Sequence, residues 1–294
     1  MPLPPPIFNF ADCNRKEKPM KKRGTTIILL IVFIVGLSLL LYPSISDWWN
    51  SMHQSRAVAS YVEQVANMDD DKYAHLWEDA WNYNEKLTER ENSYILSDKQ
   101  KEEYNQILDI GGLGIMGYIE IPVIGVTLPI YHGTDESILQ IAVGHLEWTS
   151  LPVGGESSHC VVSGHRGLPS AKLFTDLDKL VVGDVFIFRV LDEILTYEVD
   201  QILIVEPHET DDLLIQEGKD LCTLITCTPY GVNSHRLLVR GHRVENQEQA
   251  QAVRVTADAM QIEPVIVAPI VAIPMLLVLL IGLLIPKSKG RRHD

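Results

Sequence analysis

The sequence predicts a mainly β domain, built as a barrel or a sandwich, that follows a helical region and lies between two membrane-spanning helices. Three observations predict this architecture. Short segments rich in β-branched and aromatic residues, separated by Gly, Pro, Asn and Asp turns, fill residues 116–244. Apolar residues recur at helical spacing in residues 47–109. Two long apolar runs lie near the ends of the 294-residue chain.

The two apolar runs cover residues 25–42 and 265–285, and each is long enough to cross ~30 Å of hydrocarbon as a helix. Basic residues precede the first run and follow the second: Lys21, Lys22, Arg23, Lys287, Lys289, Arg291 and Arg292. The positive-inside rule therefore predicts a two-pass protein of the cell membrane, with cytoplasmic tails at 1–24 and 286–294 and an extracellular domain at 43–264. The alternatives are a cleaved signal peptide for the first run and a surface-lying segment for the second. The length of the first run favours an uncleaved anchor, and a spanning helix is favoured for the second.

Between the membrane runs, the patterns divide the chain into a helical region at 43–110, a β domain at 111–245 and a polar tether at 246–264. Helices are expected to begin near the acidic triplet at 69–71 and after Ser97-Asp98. One further short helix is expected at 172–180. The predicted strands are 118–121, 126–131, 159–163, 184–190, 194–206, 221–227 and 235–244.

Charge and cysteine content limit the classes of partner. Residues 43–264 carry 36 acidic but only 15 basic side chains, which disfavours nucleic acid and suits cationic partners such as lysine-bearing proteins. Of the four cysteines, Cys13 is predicted to be cytoplasmic, so the odd number outside leaves at least one thiol unpaired within the chain. Cys160 and Cys222 are interpreted as buried apolar residues. No spacing of ligands suggests a metal, and no cofactor is predicted.

Three side chains provide the groups that covalent acyl transfer requires. Cys227 ends an apolar run and is followed by a Thr-Pro-Tyr-Gly turn, which would leave its sulfur exposed at the rim of the domain. Arg236 returns on the next strand and can lie beside Cys227, where its guanidinium would suit an oxyanion. His165 lies in a Gly-flanked turn after another apolar run and would act as the proton carrier. Each residue has an ordinary structural interpretation, and only the combination favours catalysis.

The residues around these three side chains resemble the active-site signature of the sortases, the membrane-bound cysteine transpeptidases of Gram-positive bacteria. The signature consists of TLITC at 223–227, the arginine on the following strand and SGHRG at 163–167. A wider resemblance to class C, the pilus-building sortases, covers roughly residues 55–285. It rests on YHGTDE at 131–136, GHLEWTSLPVGGESSH at 144–159, SGHRGLPSAKLFTDLDKL at 163–180, TCTPYGVNSHRLLVRG at 226–241 and the two membrane runs.

The resemblance implies a closed eight-stranded β-barrel with an N-terminal helical appendage. It assigns catalytic roles to His165, Cys227 and Arg236. The implied partners are membrane lipid, contacted through two helices, and pilin subunits that carry an LPXTG-like sorting signal and an acceptor lysine. In the implied reaction, Cys227 cleaves the sorting signal of one pilin and forms a thioester with it. The acyl group is then transferred to the acceptor lysine of the next pilin. Two alternatives stay open: a sortase that attaches proteins to cell-wall peptide, and a non-catalytic scaffold that binds pilins.

One feature of class C is missing from the sequence. Members of this class usually carry a lid with an Asp-Pro-aromatic motif over the active site. The corresponding residues 91–98 read ENSYILSD and contain no such triplet. Tyr94 or Asp98 could take its place, but an ordinary loop is the favoured interpretation.

Overall fold

The computed structural model describes residues 20–88 and 95–246. Several predicted segments lie outside the described residues: residues 1–19 of the N-terminal tail, the polar tether beyond residue 246, the second membrane run and the C-terminal tail. The chain divides into two compact units, one with the residues up to Leu41 and one that begins at Tyr42. The helical and β regions described below belong to the second unit.

Four α-helices are described. They are α1 (Met20–Ala66), α2 (Asp70–Thr88), α3 (Asp98–Gln106) and α4 (Glu136–Leu139). Helix α1 contains the first predicted membrane run but continues for 24 residues beyond its end at Tyr42, through Pro43. In the described residues it is the one helix that is long and apolar enough to cross a membrane. A capping box at Ser97 and Gln100 begins α3, close to the predicted start.

Eight strands follow the N-terminal helices. They are β1 (Ile115–Ile121), β2 (Val126–His132), β3 (Val143–His145), β4 (Ser158–Ser163), β5 (Val185–Val190), β6 (Glu193–Val205), β7 (Asp220–Thr228) and β8 (His235–Val244). Seven of them lie where the sequence predicts strands, with ends that differ by a few residues. The strand β3 was not predicted, because three residues are too few to show a period of two.

The eight strands close into a barrel in the order β1-β2-β3-β4-β7-β8-β6-β5. The pairs β2–β3 and β4–β7 are parallel and the other pairs are antiparallel. The fold is therefore the closed eight-stranded barrel with an N-terminal helical appendage that the resemblance implies. Closure leaves no free sheet edge in the barrel.

The segment at 172–180, where one short helix was expected, contains only a short 3-10 turn at Leu177–Lys179. The prediction of an α-helix there was therefore wrong.

One continuous core joins the barrel to helices α2 and α3. Phe186, Phe188 and Tyr197 pack together inside the barrel. Tyr104 of α3 is fully buried, and its hydroxyl accepts a hydrogen bond from the Gly133 backbone at 2.9 Å. The N-terminal helical appendage thus shares a hydrophobic core with the barrel.

Candidate active site

Cys227 is the next-to-last residue of β7, close to the turn that leads to β8. Of the three cysteines that the structure describes, it is the partly exposed one. In the β7–β8 register it stands directly opposite Arg236. Side chains directly opposite each other on antiparallel strands have Cβ atoms about 4.5–5.5 Å apart and share a face of the sheet. The hairpin therefore places the side chains of Cys227 and Arg236 on the same face of the sheet, at directly opposite positions.

His165 reaches the same rim through a different pair of strands. Strand β4 runs parallel to β7, and Ser163 at its end pairs with Ile225. His165 and Cys227 each lie two residues beyond that pair, at the same end of adjacent strands about 4.8 Å apart. In the barrel order β4-β7-β8, the cysteine thus stands on the middle strand, between the histidine and the arginine.

Hydrogen bonds hold the start of the histidine turn against β7. The Gly164 amide donates to the Ile225 carbonyl at 3.0 Å, and the Thr226 hydroxyl donates to the Gly164 carbonyl at 2.8 Å. A Cβ atom at Gly164 would lie 2.7 Å from the Phe174 ring, so a side chain does not fit there. The Gly-flanked motif therefore reflects close packing between the turn and the core.

A carboxylate lies beside the imidazole of His165. The Nε2 atom of His165 is 3.6 Å from Oε2 of Glu136 on α4, and the imidazole is 26% exposed. This Nε2 atom is buried, and no atom of the described residues lies within hydrogen-bond geometry of it. A hydrogen bond from Gln140 and the nearby His165 ring together lower the pKa of the exposed Glu136 carboxyl. The Glu136 carboxylate is thus anionic at neutral pH.

The Arg236 guanidinium is directed along the turn between β7 and β8. Its Nη1 donates to the carbonyls of Asn233 and His235 at 3.3 and 3.2 Å. Within residues 20–88 and 95–246, no carboxylate lies within ion-pair distance of it. The positive charge on the strand opposite Cys227 is therefore not neutralised by a described carboxylate, and a charge of this kind can stabilise a developing anion.

A second arginine, which the sequence analysis did not single out, lies at the same rim. The Arg166 side chain is only 10% exposed and forms an ion pair with Asp178. Its Nη1 donates to the hydroxyl of Thr228, the residue after Cys227, at 3.4 Å. Arg166 thereby ties the histidine turn to the end of β7. Its position in SGHRG was visible in the sequence, but its burial and its partner 62 residues away were not.

The other two described cysteines lie deeper in the same two strands. Cys160 and Cys222 are paired in the β4–β7 register, are buried and form no disulfide. Burial raises the pKa of the Cys222 thiol well above its ordinary value, which opposes formation of a nucleophilic thiolate there. Both residues are therefore packed in the core, away from solvent.

Among the described residues, no group of three or more His, Cys, Asp or Glu side chains could hold a metal ion. Of the two residues considered as lid substitutes, Tyr94 lies outside the described residues. Asp98 is the first residue of α3, next to the capping box.

Comparison with known proteins gives consistent results. Residues 119–244 match the Sortase domain family. Sortase D of Bacillus subtilis is 33% identical over 131 residues, which are 44% of this chain and 63% of that protein. The chain therefore spans less than two thirds of this relative. Sortase A of Bacillus anthracis is 25% identical over 76% of this chain and 96% of that protein.

Solved structures match a larger share of the chain than the family model does. Sortase C1 from Streptococcus agalactiae is 50% identical, with a TM-score of 0.64 over 65% of this chain and all of that one. A Streptococcus pneumoniae sortase C, described with respect to catalysis and pilin substrate specificity, is 46% identical, with a TM-score of 0.60 over 65% of this chain and 97% of that one. Sortase C-1 from Actinomyces oris is 49% identical, with a TM-score of 0.56 over 59% and 99%.

Proposed function

This chain belongs to the sortase family of cysteine transpeptidases, and we propose that Cys227, His165 and Arg236 are its catalytic residues. The observation that carries this proposal is the strand order. Two distant segments, the His165 turn and the β7–β8 hairpin, bring a partly exposed thiol, an imidazole and a guanidinium to one rim of the barrel. A nucleophile, a proton carrier and an oxyanion stabiliser are what acyl transfer through a thioester needs.

The first half-reaction forms the thioester. The Cys227 thiolate attacks the carbonyl carbon of the Thr–Gly bond in an LPXTG-like sorting signal, and the carbonyl oxygen becomes an oxyanion beside Arg236. When the C–N bond breaks, the His165 imidazolium donates its proton to the departing glycine amine. The products are a threonyl thioester on Cys227 and the free C-terminal fragment.

The second half-reaction transfers the acyl group. An amine of the acceptor attacks the thioester carbonyl, and neutral His165 takes the proton that this amine loses. The C–S bond breaks, the Cys227 thiolate is regenerated, and a new amide bond joins the two proteins. With a lysine side chain as the acceptor, the product is an isopeptide bond.

Pilin subunits are the proposed substrates and acceptors. The support comes from the solved class C structures, which are 46–50% identical to this chain and include one described for its pilin substrate specificity. The excess of 36 acidic over 15 basic side chains in residues 43–264 would favour the approach of a lysine-bearing surface. The rival acceptor, cell-wall peptide, uses the same three side chains and differs only in the amine.

The proposed location is the cell membrane, with the barrel outside and both termini inside. Support for the first anchor is the apolar first part of α1. At the end of the apolar run and in the two turns that follow, this helix exposes Tyr42, Trp48 and Trp49, and Tyr and Trp favour the membrane–water interface. Support for the second anchor is the apolar sequence of residues 265–285 alone.

The test mixes the full-length protein in detergent micelles with a candidate pilin and looks for high-mass covalent ladders. We expect Cys227→Ala to abolish the ladders and the acyl-enzyme, because no other described thiol is partly exposed. The matched control is Cys222→Ala, which removes a buried thiol from the same strand and should retain most of the activity. Ladders at the wild-type level with Cys227→Ala would contradict the mechanism. Products with wall peptide but not with pilins would support the rival acceptor.

A further inference from the structure

Helix α1 carries, beyond the predicted membrane run, a row of side chains that contacts the barrel. Asp47, Asn50, Gln54, Ala57 and Tyr61 recur every three or four residues, which places them on one face of the helix. Tyr42, Ile45, Trp48 and Trp49 lie on the opposite face and are exposed. The second half of α1 is thus a docked element with two distinct faces rather than a simple tether.

Two of these side chains bind the backbone of the segment that follows His165. The Lys172 amide donates to Oδ1 of Asp47 at 2.8 Å. The Nδ2 atom of Asn50 donates to the Ser170 carbonyl at 2.7 Å. Bonds to backbone atoms fix the path of a segment whatever its side chains are. Asp47 and Asn50 therefore hold the main chain of this segment at two points.

Residues 170–172 belong to a loop that also contains His165, and hydrogen bonds join the two ends of this loop. The Phe174 amide donates to the His165 carbonyl at 3.1 Å. The Gly167 amide donates to the Thr175 hydroxyl, also at 3.1 Å. Residues 165–175 therefore form a compact loop, and a shift of its outer part moves the backbone of His165.

Other contacts fix α1 itself against the barrel. The Tyr61 hydroxyl donates to the Met116 carbonyl at 3.1 Å and accepts from the Leu191 amide at 2.7 Å. Gln54 Nε2 donates to the Ile141 carbonyl at 2.7 Å, just after the helix α4 that carries Glu136. The helix thus has a fixed position from which it contacts both segments that lie next to His165.

We propose that Asp47 and Asn50 are positioning residues that hold the His165 loop in its catalytic place, so that the extracellular half of the anchor helix is part of the active-site framework. The proposal rests on the proposed function in taking His165 as the proton carrier. Neither side chain contacts the reacting atoms. Their effect acts through the backbone of Ser170 and Lys172.

The test compares single-residue variants of α1 in the full-length protein in detergent micelles. Asn50→Asp removes the donor and puts a carboxylate against the Ser170 carbonyl, whereas Asp47→Asn keeps the acceptor for the Lys172 amide. Asp47→Ala removes that acceptor. The control is Ser55→Asp, which adds the same charge as Asn50→Asp on an exposed part of α1. The measurements are kcat and KM on a fluorogenic LPXTG-containing peptide, hydrogen exchange of residues 165–175, and the thermal midpoint.

We expect Asn50→Asp and Asp47→Ala to lower kcat about tenfold, which corresponds to about 1.4 kcal/mol, with KM within twofold of wild type. Exchange in residues 165–175 should become faster in both variants. Asp47→Asn and Ser55→Asp should behave like the wild type in both measurements.

Any of the following results would overturn the proposal: unchanged kcat and exchange in Asn50→Asp and Asp47→Ala, an equal loss in Ser55→Asp, or a rise in KM alone. A loss of activity that only follows a lower thermal midpoint would also overturn it. If the wild-type protein does not cleave the peptide, the proposed function fails, and hydrogen exchange then decides separately whether α1 holds the loop.

Discussion

At the residue scale, the three proposed catalytic side chains differ in how much of their arrangement is local. Cys227 and Arg236 belong to one hairpin, so the register of two consecutive strands brings them together. His165 is 62 residues from Cys227 and reaches it only through the parallel pairing of β4 with β7. The sequence could therefore place Arg236 beside Cys227 from the turn between them. For His165, the sequence showed the residue type and the motif, but it did not show that Cys227 lies on the adjacent strand.

Arg166 supplies the first prediction at this scale. Arg166→Met should lower kcat at least tenfold, because it leaves Asp178 and Thr228 without the group that ties the histidine turn to β7. Arg166→Lys keeps the charge but not the planar fork, and should recover part of the activity. The measurement is the pH profile of kcat/KM together with the thermal midpoint.

The matched variant for Arg166 is Asp178→Asn, which removes the charge of its exposed partner alone. It should cost less than Arg166→Met, since exposed ion pairs contribute about 0–1 kcal/mol. Wild-type kcat in Arg166→Met would show that the tie to Thr228 does not position the turn.

Acid sensitivity is the second prediction and comes from His159. Its Nδ1 donates to the Leu214 carbonyl at 2.9 Å and its Nε2 accepts from the Thr223 hydroxyl at 2.7 Å, an arrangement that suits the neutral ring. Burial lowers the pKa of His159 from 6.5 to about 4. Between these values the unfolded chain binds more protons, so the free energy of unfolding should fall as pH drops from 6.5 to 4. The loss should be on the order of 3 kcal/mol.

The measurement is urea unfolding of the full-length protein between pH 4 and pH 7. His159→Asn should flatten the pH dependence, whatever its effect on stability at neutral pH. His208→Asn, at a histidine whose side chain is 78% exposed, should leave the slope as it is in the wild type. Equal slopes in wild type and His159→Asn would assign the acid sensitivity to other groups.

At the element scale, strongly periodic segments were predictable and irregular ones were not. The apolar alternation and turn residues placed seven strands, and the capping residues placed the start of α3. The length of α1 was not predicted, because the change from apolar to barrel-facing residues at Tyr42 resembles a helix end in hydropathy alone. A short 3-10 turn at 177–179 stands where an α-helix was expected, because tertiary contacts fix an irregular path there. One such contact is the hydrogen bond from the Phe174 amide to the His165 carbonyl.

The docking of α2 gives the third prediction. Asn84 is buried and makes two bonds to the Leu151 backbone: its Nδ2 donates at 3.1 Å and its Oδ1 accepts at 2.7 Å. Asn84→Ala leaves a buried donor and a buried acceptor unpaired, and should lower the free energy of unfolding by about 2–3 kcal/mol. Urea unfolding provides the measurement. Asn82→Ala, on the exposed face of the same helix, should change it by about 0.5 kcal/mol or less.

At the scale of the whole molecule, the membrane topology is the fourth prediction. A membrane-impermeant thiol reagent applied to intact cells should label Cys227, the partly exposed cysteine of the predicted extracellular domain. Cys13 should stay unlabelled, because it lies on the predicted cytoplasmic side. A cysteine introduced by Asp294→Cys should also stay unlabelled until the membrane is permeabilised. Labelling of that site in intact cells would show that residues 265–285 do not cross the membrane.

The sequence by itself determined the class of the molecule. Apolar periodicity, turn residues and the long apolar run reflect local free energies, so they identified a β domain, its helical region and the apolar first part of α1 without any tertiary contact. The residue types at 165, 227 and 236 indicated acyl transfer in the same way, because the chemistry depends on which groups are present.

The tertiary structure decided which groups meet. Closure of the barrel depends on pairings between segments far apart in the chain, and these set the order β4-β7-β8 that brings His165, Cys227 and Arg236 to one rim. The burial of Arg166 and the contacts of Asp47 and Asn50 with the His165 loop arise from the same packing. No local pattern encodes them, since each depends on the position of a distant backbone.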